Sequence, residues 1–306
     1  MDVRRPFPRA RERCNLSEKD ASNVVRDARS VSRFRTKSMK ILAVLLLAAA
    51  SVTALAVFTS RAHAPRHSDL AARRNPVLVE LFTSEGCSSC PPADALLQKL
   101  DSSQPVDGAD LIVLSEHVDY WDSEAWKDRY SSHAYTERQE AYATRLGLNT
   151  VYTPQMVIDG RIELVGSEEP QVLRALGSAA RVEKIAMALS SVRPEGSDTL
   201  ALHLVVSPLP GSAASESANV LVALARESAV SLVGGGENSG ATLRHIAILR
   251  SLTRVGGISK SAGLSQDFKL KLDGENPRDL RIVAIVQDAP IGRVWGAASA
   301  RLPSDR

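Results

Sequence analysis

Two cysteines separated by two residues, Cys87 and Cys90, stand between a buried strand and a helix. The strand is indicated by the largely apolar run 77–82, and the helix by apolar side chains at helical spacing after Pro91 and Pro92. Proline is accepted in the first turn of a helix, where its missing N–H is not needed. A strand–dithiol–helix unit restricts the fold to a few α/β topologies, because crossover connections between parallel strands are right-handed.

The elements that follow alternate between strands and helices. They are a strand at 111–114, a helix within 131–147, an X-Pro step at Thr153-Pro154, a hairpin turned at Asp159-Gly160, and a helical region that Ser167 caps and that runs to about residue 189. We therefore predict an α/β thioredoxin-like domain over residues 75–192.

Beyond a polar boundary at 193–197, the apolar residues alternate with a period of two. Loops rich in proline, glycine and serine separate these segments, which is typical of short antiparallel strands. We predict a second domain over residues 197–303, a small antiparallel β-sandwich. Gly234-Gly235-Gly236 lacks the lysine and hydroxyl residue of a phosphate loop, so we interpret it as a turn.

Residues 39–64 have the order of a secretory signal: a charged start, the apolar run 41–58 and a small-x-small cleavage site. The alternative is an uncleaved membrane anchor, since the run approaches spanning length. Residues 1–38 are a basic extension, and Met39 is a second candidate start, which would make 1–38 an over-extended gene model. Positive charge precedes the run, so both versions place residues 65–306 outside the cytoplasm, in the periplasm or beyond, with a membrane tether in the second version.

The net charge of +3 comes from the N-terminal extension, and the charge after residue 40 is nearly balanced. A nucleic-acid partner is therefore not expected, because the predicted folded part has no basic footprint. Cys14 precedes the apolar run and is separated from the other cysteines by export. Cys87 and Cys90 then remain as the pair in a compartment where disulfides persist.

A dithiol at the start of a helix has a known chemical advantage. Unpaired N–H groups and the helix dipole favour the thiolate of the first cysteine. We expect Cys87 to be the accessible attacking thiol and Cys90 the shielded, resolving thiol. We also expect a cis bond at Pro154, facing the dithiol, and Glu80 as the acid that takes the proton from Cys90.

Further side chains are expected around the dithiol. His117 and Asp119 follow a strand that ends at the same sheet edge, and Thr153 opens the hairpin there. With Trp121, they are predicted to form the rim of a substrate site. The substrates would be exported proteins or small thiols and disulfides, with an unidentified redox partner and no cofactor.

Two alternatives remain open. Exported domains are often stapled by disulfides, so the pair can be structural within a binding module. Cys87, Cys90 and His117 can also be the ligands of a copper or zinc ion.

Several blocks of sequence resemble the DUF1223 family of exported, thioredoxin-like bacterial proteins. The blocks are 81–94, 117–122, 136–139 and 152–156, with a later echo at 236–240 and 243–245. The resemblance covers roughly residues 75–300. It implies a thioredoxin-like fold, and it implies no reaction, because the role of the family is not established.

Overall fold

The computed structural model describes residues 74–302. The basic extension predicted at 1–38 and the signal or anchor predicted at 39–64 lie outside the described residues. Within 74–302, no helix is both long enough and apolar enough to cross a membrane.

The described residues form a mixed α/β structure with two sheets. The strands are β1 (Asn75–Thr83), β2 (Ala109–His117), β3 (Gln155–Ile158), β4 (Ile162–Val165), β5 (Met187–Pro194), β6 (Thr199–Val206), β7 (Ser217–Leu232), β8 (Thr242–Ser259), β9 (Leu264–Lys271), β10 (Leu280–Asp288) and β11 (Val294–Arg301). The α-helices are α1 (Pro91–Ser103), α2 (His133–Leu146) and α3 (Glu169–Ala179).

The larger sheet has eight strands in the order β11-β10-β7-β8-β2-β1-β3-β4. Strands β1 and β2 are parallel, and β8 joins the other side of β2 in parallel, with Ser115 beside Ile248. The remaining pairs in this sheet are antiparallel. The smaller sheet is antiparallel, in the order β5-β6-β9. The carboxyl ends of β1 and β2 therefore meet at one edge of the large sheet.

Alternation along β1 assigns its side chains to two different faces. Val77, Val79 and Leu81 pack against apolar residues of α1 and α3, whereas Leu78 and Phe82 pack toward α2. Full burial of such side chains stabilises the fold by about 1.5–3 kcal/mol each. Because the helices cover opposite faces, a polar residue on β1 or β2 can reach either α1 or α2, but not both.

The strands beyond residue 197 share a core between two facing antiparallel layers, but one of these layers is not separate from the sheet that contains β1 and β2. Strands β7, β8, β10 and β11 instead continue the large sheet, and the three-stranded sheet packs over them. Leu202 and Leu204 of β6 share a core with Val220 and Val222 of β7. A period of two indicates a strand with one buried face, but it does not indicate which strand lies beside it.

The helical region expected to reach residue 189 ends earlier. Helix α3 stops at Ala179, and Leu189 lies in β5. Residues on β5 alternate between half-buried and exposed over most of its length, which is the pattern of an edge strand with one covered face.

Candidate functional site

The Cys87–Cys90 pair occupies the turn between β1 and α1. The two cysteines are joined by a disulfide, with their Cα atoms 5.4 Å apart. Cys90 is the cap residue of α1, and its carbonyl accepts the N–H groups of Ala93 at 2.9 Å and Asp94 at 3.1 Å. The pair thus lies at the N-terminus of a helix, where the dipole favours negative charge, although Pro91 and Pro92 have no N–H to donate.

Both cysteines are 0% exposed, although Ser88 and Ser89 between them are exposed. A cover is provided by residues 233–241, which we call the β7–β8 loop. Asn238 Nδ2 donates to the carbonyl oxygen of Cys87 at 2.9 Å, and to that of Glu85 at 3.0 Å. The expectation that Cys87 is accessible is therefore wrong for this closed, disulfide-bonded form, because a loop 151 residues away in sequence lies over it.

The loop also contacts the residue between the cysteines. Glu237 accepts hydrogen bonds from the backbone N–H of Ser88 at 3.0 Å and from its hydroxyl at 2.7 Å. The glycines of the loop also allow it to lie close to the segment after β2. A Cβ on Gly235 would lie 2.1 Å from the carbonyl oxygen of Ala125. The glycine run leads into a turn that begins at Gly236, and the run packs against Ala125 and Trp126 in the segment that follows β2.

Two of the predicted rim residues lie beside the exposed part of the cysteine turn. Trp121 Nε1 donates to Thr153 Oγ1 at 2.8 Å, and the carbonyl of Thr153 lies 3.5 Å from Ser89 Oγ. The bond between Thr153 and Pro154 is cis, which confirms that prediction. The third, Asp119, is half-buried and accepts from Thr136 Oγ1 at 2.6 Å, so it anchors α2.

Glu80 lies on the α2 face of the sheet, away from the dithiol. It is completely buried, and its Oε1 accepts from Arg138 at 2.6 and 2.8 Å. Its Oε2 accepts from the hydroxyl of Tyr142 at 2.6 Å. Its predicted role as the proton acceptor of Cys90 is therefore corrected, because Cys90 begins α1 on the opposite face.

The prediction that His117 lies at the rim of a substrate site is also corrected, because its side chain is completely buried. It belongs to a group of polar side chains beneath the start of α1. We call this group the buried polar cluster: Thr83, Glu85, Asp94, Ser115, His117 and His245. The His245 ring has Nε2 at 3.5 Å from Glu85 Oε1 and Nδ1 at 4.0 Å from Asp94 Oδ2. The ring centres of His117 and His245 are 4.7 Å apart.

Asp128 orients His117 from outside the cluster. Its Oδ2 lies 2.6 Å from His117 Nδ1 and also accepts the N–H of Glu85 at 2.9 Å. Burial alone would raise the pKa of Asp128, but the His117 imidazole and the N–H donors of Glu85 and Tyr130 lower it to about 2. A charged Asp128 holds one imidazole nitrogen, so the other nitrogen of His117 is directed toward the cluster.

The pKa of Asp94 is shifted in the opposite direction to that of Asp128. Burial raises the pKa of its carboxyl to about 7, against the attraction of His245, which lowers it. The carboxyl is therefore partly protonated near neutral pH, a property that general acid–base groups share.

The sequence patterns did not predict a role for five polar residues that lie beneath or over the cysteine turn. Glu85, Asp94 and His245, together with the loop residues Glu237 and Asn238, stand in the blocks that carry the DUF1223 resemblance, but the sequence pattern assigned them no role. The resemblance of these blocks was the one signal that could have identified them.

The metal alternative has no support in residues 74–302. There, no group of three or more His, Cys, Asp or Glu side chains is placed to hold a metal ion. Cys87 and Cys90 are joined by a disulfide, and His117 Nδ1 is hydrogen-bonded to Asp128 Oδ2.

A family model described as "Protein of unknown function (DUF1223)" matches residues 78–287. No curated protein matches this chain. The crystal structure of protein AGR_C_4864 from Agrobacterium tumefaciens is similar, with a TM-score of 0.62 and 25% identity over 77% of this chain and 98% of that one. HBP35 of Porphyromonas gingivalis is similar with a TM-score of 0.53 and 14% identity, over 77% of this chain and 80% of that one. The second likeness concerns the fold alone.

Proposed function

This chain belongs to the DUF1223 family, whose description gives no function, and we propose from its site that it is a thiol–disulfide oxidoreductase. In this proposal, residues 75–192 are a thioredoxin-like domain that carries the Cys87–Cys90 pair. The signal-like segment 39–64 would place it outside the cytoplasm, where its substrates are exported proteins or small thiols and disulfides.

The observation that carries the proposal is the position of the disulfide. It lies at the N-terminus of α1, directly after β1, whose neighbours in the sheet are the parallel strand β2 and the antiparallel strand β3. The positive end of the α1 dipole favours a thiolate at this position, although Pro91 and Pro92 supply no N–H donor to it. A staple role is less favoured, because a disulfide that closes a loop of so few residues removes little chain entropy from the unfolded state.

The exchange proceeds by two displacements at sulfur. A substrate thiolate attacks Cys87 Sγ, the bond between the cysteines breaks, and Cys90 leaves as a thiolate that takes up a proton. A second substrate thiol, as its thiolate, attacks the mixed disulfide, and Cys87 leaves and is protonated. The substrate loses two electrons and two protons, and the cysteine pair gains them. The reverse sequence reduces a substrate disulfide.

The proposal predicts unequal reactivity of the two cysteines. With Cys90→Ser, the remaining Cys87 should form a mixed disulfide with oxidised glutathione at least about tenfold faster than Cys90 does in Cys87→Ser. The reason is that Cys87 is followed by Ser88 and Ser89, which are exposed, whereas Cys90 is followed directly by the first turn of α1. The rates are measured by mass spectrometry of the full chain after acid quenching. Equal rates, or a faster Cys90, would remove the assigned roles.

A further inference from the structure

The buried polar cluster is costly for the fold. Four of its members have a buried polar atom without a hydrogen-bond partner in the described part of the chain: Glu85 Oε1, Ser115 Oγ, His117 Nε2 and both nitrogens of His245. An unsatisfied buried polar group costs about 1–3 kcal/mol. Such a concentration at one place beside the dithiol indicates a use other than stability.

We propose that Asp94 exchanges the proton of Cys90 during thiol–disulfide exchange, and that His245 supplies and removes protons through Asp94. This inference rests on the proposed function and assigns to Asp94 the role that the sequence suggested for Glu80.

The helix geometry brings Asp94 to Cys90. The N–H of Asp94 donates to the Cys90 carbonyl at 3.1 Å, so the two residues are one turn apart. Side chains four positions apart lie on the same face of a helix. Both side chains are buried, with Asp94 at 7% exposure, so the carboxyl and the sulfur share one dry side of α1.

His245 arrives from β8 and lies between two carboxyl groups. Its Nδ1 is 4.0 Å from Asp94 Oδ2, and its Nε2 is 3.5 Å from Glu85 Oε1. The other oxygen of Glu85 accepts from Trp126 Nε1 at 3.1 Å, and Trp126 is half-buried. A line of titratable groups therefore runs from Asp94 toward the side chain of a partly exposed residue under the β7–β8 loop.

Polar and charged groups reach the surroundings of Asp94 from several elements. Thr83 comes from β1, Glu85 from the turn before α1, His117 from β2, His245 from β8, and Asp128 from the segment before α2. Burial raises the pKa of Asp94 most, His245 and a hydrogen bond with Thr83 lower it, and Asp128 and Glu85 raise it again, with a value of about 7 as the result. The carboxyl is then ready both to donate and to accept a proton near neutral pH.

The proton step balances with the exchange. When a thiolate attacks Cys87, Cys90 leaves with the electron pair of the broken bond. Protonated Asp94 gives its proton to the Cys90 sulfur and becomes a carboxylate, which regains a proton from His245. When the cysteine pair is oxidised again, the Cys90 thiol first gives its proton to the Asp94 carboxylate. The Cys90 thiolate then attacks Cys87 Sγ in the mixed disulfide, and the substrate thiolate leaves.

The test is the pH profile of disulfide reduction in the full chain. The rate of reduction by dithiothreitol, divided by the concentration of its thiolate, is measured by alkylation from about pH 5 to about pH 9. The wild-type rate should fall as the pH rises through about 7, since Asp94 then loses its proton. With Asp94→Asn the inflection should disappear, and the rate below it should fall at least about tenfold.

Two further variants separate this role from a structural one. His245→Gln should move the inflection to higher pH, because His245 lowers the pKa of Asp94. Glu116→Gln is the matched control: Glu116 is completely buried, burial raises its pKa well above the usual value, and it lies on the α2 face. Its profile should equal that of the wild type.

The outcomes distinguish this inference from the proposed function. If Asp94→Asn keeps the wild-type inflection, the proton role of Asp94 is wrong, while exchange by the cysteines stands. If the wild-type disulfide does not react at all, both ideas fail before any variant is made. Should Asp94→Asn not fold, His245→Gln decides, and an inflection that does not move overturns the inference.

Discussion

Replacing Arg138 by methionine is expected to lower the free energy of unfolding by about 3–5 kcal/mol. The Arg138 side chain is 10% exposed, and it neutralises a carboxylate on Glu80, which is 0% exposed. It also lies 3.6 Å from the equally buried Glu116. Methionine fills a similar volume without the charge, so Glu80 would be left as an unpaired buried carboxylate. Urea denaturation followed by fluorescence measures the loss.

Two comparisons show whether the charge causes the effect. Arg301→Met removes an ion pair with Glu227 at a side chain that is 57% exposed, and it should cost only about 0–1 kcal/mol. The double variant Arg138→Met with Glu80→Gln removes both charges and should recover part of the lost stability, as a double-mutant cycle would detect. A loss below about 1 kcal/mol for Arg138→Met would contradict the assigned role.

Gly235→Ala is expected both to destabilise the chain and to open the cover over the disulfide. The added methyl group would lie 2.1 Å from the backbone oxygen of Ala125, which cannot move as a side chain can. Overpacking of this kind typically costs about 1–3 kcal/mol. The β7–β8 loop would then be displaced, together with the hydrogen bonds from Asn238 to the cysteine turn. Reduction of the disulfide by dithiothreitol should become about tenfold faster, since each 1.4 kcal/mol in a local opening equilibrium is about a factor of ten.

The matched control is Gly177→Ala in α3, where an added Cβ meets nothing within 4 Å. Alanine favours a helix over glycine by up to about 1 kcal/mol, so this variant should be as stable as the wild type or more so. Its disulfide should be reduced at the wild-type rate. Asn238→Ala, which removes the two hydrogen bonds without a clash, should accelerate reduction in the same direction as Gly235→Ala. An unchanged rate in both loop variants would show that the loop does not control access to the sulfurs.

Local patterns in the sequence predicted the elements around the dithiol. The cysteine turn between a strand and a helix, the hairpin after Pro154 and the cis bond at that proline all follow from neighbouring residues. Neighbouring residues did not predict which face of each strand lies against α1. Glu80 and His117 were both expected near the sulfurs, but which face α1 covers is decided by packing, and Glu80 lies on the other one.

Contacts between distant segments were beyond the sequence patterns. Strand β8 joins the sheet beside β2, which brings His245 beneath α1 and the β7–β8 loop over Cys87. Alternating apolar residues predicted a strand there, but an exposed edge of any sheet satisfies that pattern equally well. For the same reason, the sequence did not predict that strands beyond residue 197 continue the sheet of β1 and β2.

The most direct test of the central claim, that the Cys87–Cys90 pair exchanges with thiols, is its redox equilibrium. The full chain is equilibrated in glutathione and dithiothreitol buffers, and the reduced fraction is counted after alkylation. We predict a midpoint between about −120 and about −270 mV, the range of exchange-active pairs. A disulfide that remains closed below about −300 mV would contradict the claim and would identify the pair as a structural staple.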